Sequence, residues 1–79
     1  MVKQEIRKLV AETLNVPESS LTDETSLSQD LNVDSLLILR LITIIENKYH
    51  IDIDESHIDL LDNIDSAYRY ISTLTEDQR

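Results

Sequence analysis

Three stretches of the chain repeat apolar residues at the spacing of a single helical face. The apolar positions are Ile6, Leu9, Val10 and Leu14 in the first stretch; Ile38, Leu41, Ile42, Ile45 and Tyr49 in the second; and Ile64, Ala67, Tyr68, Ile71 and Leu74 in the third. Polar and charged residues occupy most of the remaining positions. The sequence therefore predicts three amphipathic helices that share one core.

The first helix is expected to end near Asn15. Pro17 disfavours α geometry at Val16, and Asn is the best substitute for glycine, which the chain lacks, in a left-handed helix cap. Residues 17–33 then form a long polar loop, which is unusual inside a compact domain and draws attention to function. Its apolar residues, predicted to hold the loop against the core, are Leu21, Leu27 and Leu31.

The last third of the chain predicts one short helix and one long one. Ile51 and Ile53 alternate with acids as in a strand, but no other strand is predicted to pair with them, so an extended loop is expected. Residues 55–61 have room for a short helix capped by Asp54. Asp62 or Asn63 caps the last helix, which is followed by a polar tail, Thr75 to Arg79, expected to fray.

These elements predict an all-α fold with residues 1–79 as a single domain. The expected architecture is a small four-helix bundle of three main helices and one short helix, with a long first loop. Because the chain has no Phe, Trp or Cys, its core must be aliphatic and no disulfide can support it.

Charge and hydropathy exclude several functional classes. Seven basic and sixteen acidic residues give a net charge of −9, which repels nucleic acid and anionic lipid and opposes self-association, so a monomer is expected. The longest apolar run, Leu36 to Ile45, is interrupted by Arg40 and is shorter than the roughly 20 residues of a membrane span. The first residues do not resemble a signal peptide, and the absence of cysteine agrees with a reducing compartment, so a cytoplasmic protein is expected.

Ser35 opens the second helix directly after Asp34, which can cap it. The helix dipole and the free N–H groups of the first turn favour a phosphate group at this position. An ordinary serine at a helix start is the alternative interpretation. A hydrolytic nucleophile is disfavoured because His50 and His57 lie about 20 Å away or more, at about 1.5 Å per helical residue.

Two further groups of residues have both a functional and a structural interpretation. His50, Asp52, Asp54, Glu55 and His57 match no calcium or zinc spacing, so a solvated acidic loop is expected there, with no metal. Leu36, Leu37 and Leu39 lie off the inward stripe of the second helix. They are expected to be partly exposed, either as added core or as a docking patch.

Taken in order, the motifs resemble those of the acyl carrier protein family, whose members carry phosphopantetheine. The matching features are Asp34-Ser35-Leu36 at the start of the second helix, Leu31 before it, Leu14-x-Val16-Pro17, Thr22…Ser26-Leu27…Asp30-Leu31, Ile51-x-Ile53 and Ala67…Tyr70-Ile71. The resemblance covers essentially the whole chain.

The resemblance implies that a separate phosphopantetheinyl transferase attaches 4′-phosphopantetheine to Ser35, flanked by Asp34 and Leu36. The arm's thiol then holds an acyl group as a thioester, which a chain without cysteine cannot do alone. The protein is thus expected to be a discrete carrier, not an enzyme, that serves acyl-loading and acyl-processing enzymes. The docking surface would comprise Leu36, Leu37, Leu39, Arg40 and Thr43, and a possible acyl cavity would comprise Ile38, Leu41, Ile42 and Ile45.

Two departures from the family pattern refine this hypothesis. Asn32 replaces the usual glycine two residues before Asp34, and Glu46 is the single acid of a helix that is usually strongly acidic in fatty-acid carriers. The second departure favours a specialised pathway, such as polyketide or lipopeptide assembly, over fatty acid synthesis. The alternatives are an aminoacyl or peptidyl carrier of the same fold, and a cofactor-free adaptor that binds partners through the leucine patch.

Overall fold

All three predicted amphipathic helices are present in the computed structural model, which describes residues 2–76. The main helices are α1 (Lys3–Leu14), α2 (Ser35–Tyr49) and α3 (Ile64–Glu76), and two 3-10 helices span Glu18–Ser20 and Glu55–Leu61. The described residues contain no strand. The all-α prediction is therefore confirmed. The predicted short fourth helix is the second 3-10 helix, and the first was not predicted.

A single aliphatic core joins these elements, as the composition predicts. α1 packs against both α2 and α3, and the second 3-10 helix packs against α3. The largest fully buried side chains are Ile6, Val10, Leu27, Leu41, Ile45, Leu61, Ile64 and Ile71. All are aliphatic, so burial of Leu, Ile and Val supplies the hydrophobic stabilisation.

Two of the main helices end on a residue in the left-handed conformation. Asn15 caps α1 with φ 59° and ψ 47°, as predicted for a chain without glycine. His50 caps α2 in the same way, with φ 56° and ψ 50°. A β-carbon makes this conformation costly, and nothing in the sequence marks His50 for it.

The segment after α2 is the predicted extended loop. Ile51 and Ile53 are buried in the core, and the segment has no partner strand within residues 2–76. The backbone N–H of Ile53 donates to the Glu46 carboxylate at 2.8 Å. This hydrogen bond gives the Ile53 N–H the acceptor that a neighbouring strand would otherwise provide, and it attaches the loop to α2.

The second 3-10 helix and α3 are both capped by side chains. Asp54 Oδ1 accepts from the Ser56 N–H at 2.9 Å, and this hydrogen bond lowers the pKa of Asp54 below its usual value. At the start of α3, Asn63 Oδ1 accepts from the Ser66 N–H at 2.9 Å. Of the two predicted caps of α3, Asn63 therefore makes the capping bond.

Asp62 instead holds the first loop. Its backbone carbonyl accepts from the Leu27 N–H at 2.7 Å, and its carboxylate accepts from the Ser26 hydroxyl and, at 3.0 Å, from the Ser28 N–H. Burial alone would raise the pKa of Asp62, but these hydrogen bonds outweigh it and the pKa lies below its usual value. Leu21 and Leu27 are buried as predicted, and Leu31 is half-buried.

A small ion-pair cluster adds a second attachment for the same loop. Asp23 pairs with Arg7 and, at 3.2 Å, with Lys3, while Lys3 also pairs with Asp65 at 2.9 Å. The backbone N–H of Asp65 donates to the Asp23 carbonyl at 3.1 Å. Each pair is partly exposed and contributes little alone, but the cluster connects α1, the loop and α3.

None of the described helices is long and apolar enough to cross a bilayer. Of the predicted frayed tail, Thr75 lies within α3, and residues 77–79 lie outside the described part of the chain.

Replacing Asp62 with Asn should weaken the attachment of the first loop. We expect the free energy of unfolding at pH 7 to fall by about 1 kcal/mol, because Asn cannot offer an ionised acceptor to Ser26 and Ser28. The folded-state pKa of Asp62 is lowered, so its contribution is present above the unfolded-state pKa and is lost as the pH falls through the folded value. Urea unfolding at several pH values checks both expectations.

The matched control is Asp52→Asn, which removes an exposed carboxylate from the loop after α2. Below about pH 4 the free energy of unfolding of Asp52→Asn should fall as much as that of the wild type. That of Asp62→Asn should fall less. Equal pH profiles for the two variants would contradict the assigned role of Asp62.

Candidate functional site

The end of the first loop sets the direction in which α2 begins. The N–H of Val33 donates to the Leu27 carbonyl at 2.9 Å, which joins this end of the loop to the segment held by Asp62. Asn32 between them has φ 52°, the left-handed conformation expected where the family has glycine. The substitution of Asn for Gly therefore keeps the turn.

Asp34 caps α2 as predicted. It has extended backbone angles, φ −82° and ψ 170°, and its Oδ1 accepts from the Leu37 N–H at 3.0 Å. Its backbone carbonyl accepts from the Ile38 N–H at 3.2 Å, the first hydrogen bond of the helix. These two bonds fix the first turn, on which Ser35 stands.

Ser35 is the first residue of α2 and is exposed. Its hydroxyl lies beside the free N–H groups of a 15-residue helix, where the helix dipole provides partial positive charge. A phosphodiester on Ser35 would face solvent and be stabilised by that end of the helix. The site therefore fits the phosphate end of a phosphopantetheine arm.

The predicted docking residues lie on the outside of α2, with one exception. Leu36 is 75% exposed and Leu39 is 49% exposed, while Leu37 is half-buried. Arg40 and Thr43 are exposed as well. Leu37 is thus partly covered, although it is not among the side chains packed against the core, and the other two leucines face solvent, as a docking patch would require.

The predicted acyl-cavity residues divide into two pairs. Leu41 and Ile45 are fully buried in the core. Ile38 and Ile42 each line a surface cleft next to the second 3-10 helix. One cleft, of about 370 Å³, is lined by Ser28, Ile38, Ile58, Asp59 and Asp62, and the other, of about 230 Å³, by Leu39, Ile42, Thr43, Glu46, Ile53, Glu55 and Ile58. Ile58 lines both clefts.

The two histidines occupy different elements, and His50 is far from Ser35. His50 follows the last residue of α2, about 22 Å from its first residue at about 1.5 Å per residue. His57 is in the second 3-10 helix, with its ring 5.2 Å from that of Tyr70. In the described part of the chain, no three His, Asp or Glu side chains are grouped closely enough to hold a metal ion.

Sequence reasoning missed two acids that shape the site. Glu46 appeared to be the one acid of the α2 surface, but its carboxylate is bonded to the Ile53 N–H. Asp62 appeared to be a helix cap, but it holds the first loop. Local sequence carries no signal for either role, because both partners are brought close by the tertiary fold.

Removing the cap of α2 should weaken the helix that presents Ser35. We expect Asp34→Ala to lower the free energy of unfolding by about 1 kcal/mol, since the Leu37 N–H loses its acceptor. Asp34→Asn retains a capping oxygen and should lose much less. Urea unfolding followed by far-UV circular dichroism checks this, and equal losses for the two variants would show that the cap is not the cause.

Comparison with known proteins places this geometry in a family. The family model described as a phosphopantetheine attachment site matches residues 4–71. The acyl carrier protein of Buchnera aphidicola is 33% identical over 89% of this chain and 90% of its own length. That of Helicobacter pylori is 32% identical over 86% of this chain and 87% of its own.

A polyketide relative is similar over nearly the whole chain. The polyketide-8 synthase acyl carrier protein 2 of Streptomyces avermitilis is 27% identical over 98% of this chain and 88% of its own length. The match of the family model includes the capped start of α2 and continues into α3. The chain therefore belongs to the acyl carrier protein family, whose members carry phosphopantetheine.

Proposed function

We propose that Ser35 is the residue to which a phosphopantetheinyl transferase attaches 4′-phosphopantetheine. The observation that supports this assignment is the exposed Ser35 hydroxyl on the capped first turn of α2, inside the region matched by the family. Asp34 holds the turn, and the free N–H groups at the start of α2 would stabilise the phosphate. Residues 1–79 act together as one carrier domain.

The chain itself supplies attachment, presentation and recognition. The thiol of the bound arm supplies the chemistry, since it holds the acyl group as a thioester. The protein has no cysteine, and His50 lies at the other end of α2 from Ser35, so this chain supplies no thiol and that imidazole is not placed to activate the Ser35 hydroxyl. The protein is thus a carrier and not an enzyme, and the reactions occur on its partners.

The partners are the transferase and the enzymes that load and process the acyl group. The net charge of −9 supports a monomer without nucleic-acid partners, and the lack of cysteine supports a cytoplasmic location. The scarcity of acids on α2 favours a specialised pathway, while the similar proteins include both general acyl carrier proteins and a polyketide synthase carrier.

The carried acyl chain lies against the second 3-10 helix. Ile38 and Ile42 line the two surface clefts there, and Ile58 contributes to both. Leu41 and Ile45 are fully packed and act as core behind the clefts. An acyl chain in this position would lose contact with water while its thioester stays near the start of α2.

Modification of Ser35 can be tested by intact-mass measurement after incubation with coenzyme A and a phosphopantetheinyl transferase. We expect the wild type to gain the mass of one phosphopantetheine group and Ser35→Ala to gain none. Ser19→Ala is a matched control, because Ser19 is an exposed serine in the first 3-10 helix and should leave loading unchanged.

The same variants distinguish the carrier function from the alternative function of a cofactor-free adaptor. The exposed Leu36 and Leu39 would serve either function, but an adaptor needs no modification of Ser35. If the wild type stays unmodified in the presence of an active transferase, the carrier assignment is wrong.

The acyl position can be tested by thermal unfolding of the loaded protein. We expect an octanoyl group on the arm to raise Tm relative to the unacylated arm, because a group that binds the folded state stabilises it. Ile58→Ala should remove about half or more of that increase by opening both clefts. Ile44→Ala is the control, because Ile44 is also half-buried but faces the groove between α1 and α2. If Ile58→Ala and Ile44→Ala reduce the increase in Tm equally, the proposed position of the acyl chain is wrong.

A further inference from the structure

α2 carries a charge opposite in sign to that of the whole protein. It contains Arg40 and Lys48 but a single acid, Glu46, so its side chains sum to +1 while the chain carries −9. Because α2 begins at Ser35, an enzyme that acts on the Ser35 hydroxyl must approach this helix. That enzyme therefore contacts a helix whose side chains carry a net positive charge, on a protein whose net charge is negative.

The outer side of α2 combines apolar contact area with one cation. At about 100° per residue, the side chains on this side fall within an arc of about 100° around the helix axis. They are Leu36, Leu39, Arg40, Thr43 and Asn47, and all are exposed. The surface thus starts one residue after Ser35 and contains no acid.

The acids closest to this surface in the sequence are bonded to the protein's own backbone. Asp30 accepts from the Ser26 N–H at 2.9 Å, and Asp34 accepts from the Leu37 N–H at 3.0 Å. Glu46 accepts from the Ile53 N–H at 2.8 Å. Capping and loop contacts therefore fix the positions of these carboxylates. A partner on the outer side of α2 therefore meets the Arg40 guanidinium.

Arg40 differs from the basic residues that stabilise the fold. Lys3, Arg7 and Arg69 each pair with an aspartate. Arg40 forms no ion pair with any side chain that the structure describes. Glu12 lines the same groove of about 360 Å³ between α1 and α2, but no ion pair joins it to Arg40.

The kind of group that must pair with Arg40 follows from the hydration that this side chain loses when a partner covers it. A guanidinium that is covered by another protein loses hydration, and an ionised acceptor has to replace that hydration if the complex is to form. A carboxylate is the acceptor that matches the planar donors of arginine. A basic partner surface, which would suit the net charge of the protein, would instead repel Arg40.

The family resemblance already implies that partner enzymes dock on α2; we propose that the transferase that modifies Ser35 carries a carboxylate that pairs with Arg40, beside an apolar hollow for Leu36 and Leu39. This inference rests on the proposed function, because it assumes that Ser35 is modified. Arg40 is then the residue that selects a transferase with a negatively charged group at this position.

The test is the rate of phosphopantetheine transfer from coenzyme A by the protein's cognate transferase. We expect Arg40→Glu to lower kcat/KM by about tenfold or more, mainly through KM, with Arg40→Gln intermediate. Raising the ionic strength from about 0.05 M to about 0.5 M should shrink the difference between wild type and Arg40→Glu. Circular dichroism establishes that each variant retains its helical fold.

Two controls separate a local ion pair from other effects. Lys8→Glu makes the same change in net charge at an exposed position on α1 and should leave kcat/KM within about twofold. Glu12→Gln should also have little effect if Arg40 acts on the partner and not on Glu12. A wild-type or higher rate for folded Arg40→Glu, or an equal loss in Lys8→Glu, would overturn the inference while loading of the wild type upholds the proposed function. Absence of loading in the wild type would overturn both.

Discussion

The position of Ser35 depends on how Asp62 holds the first loop. Asp62 accepts hydrogen bonds from Leu27 and Ser28 at 2.7 and 3.0 Å, and the carbonyl of Leu27 then accepts from the Val33 N–H. Val33 is two residues before Ser35. The backbone carbonyl of Asp62, two residues before α3, therefore fixes where α2 begins through two backbone hydrogen bonds, while the Asp62 carboxylate holds Ser26 and Ser28. A long polar loop without glycine can hold the start of α2, and with it the Ser35 hydroxyl, in one place because both of its ends are attached to the core.

The two sides of α2 have different surroundings, core on one side and solvent on the other, and both are apolar. Its inner side contributes Leu41, Ile42 and Ile45 to the core, which fixes the helix against α1. The outer side leaves Leu36 and Leu39 in water, an unfavourable exposure that a partner surface would relieve. A helix that is apolar on both sides would suit a carrier, since the rigid core on one side gives the proposed docking surface on the other a fixed shape.

Local sequence rules predicted the features whose causes lie within a few residues. The helical stripes, the Asn15 cap and the Asp34 cap all depend on neighbouring positions, and spacing and residue type predicted each of them correctly. The left-handed His50 and the 3-10 geometry of residues 55–61 were not predicted. His50 adopts its conformation where the chain must turn to bury Ile51, so the cost is offset by tertiary packing that no local pattern contains.

The acids of this protein show why net charge alone does not identify a docking surface. Many of them accept hydrogen bonds within the fold, namely Asp23, Asp30, Asp34, Glu46, Asp54, Asp62 and Asp65. In a chain without glycine, carboxylates satisfy the backbone N–H groups of turns and helix starts that would otherwise lack acceptors. The composition therefore reflects how the loops are held, while the proposed recognition depends on the residues of the outer side of α2. There the charge is that of Arg40, and it has the opposite sign.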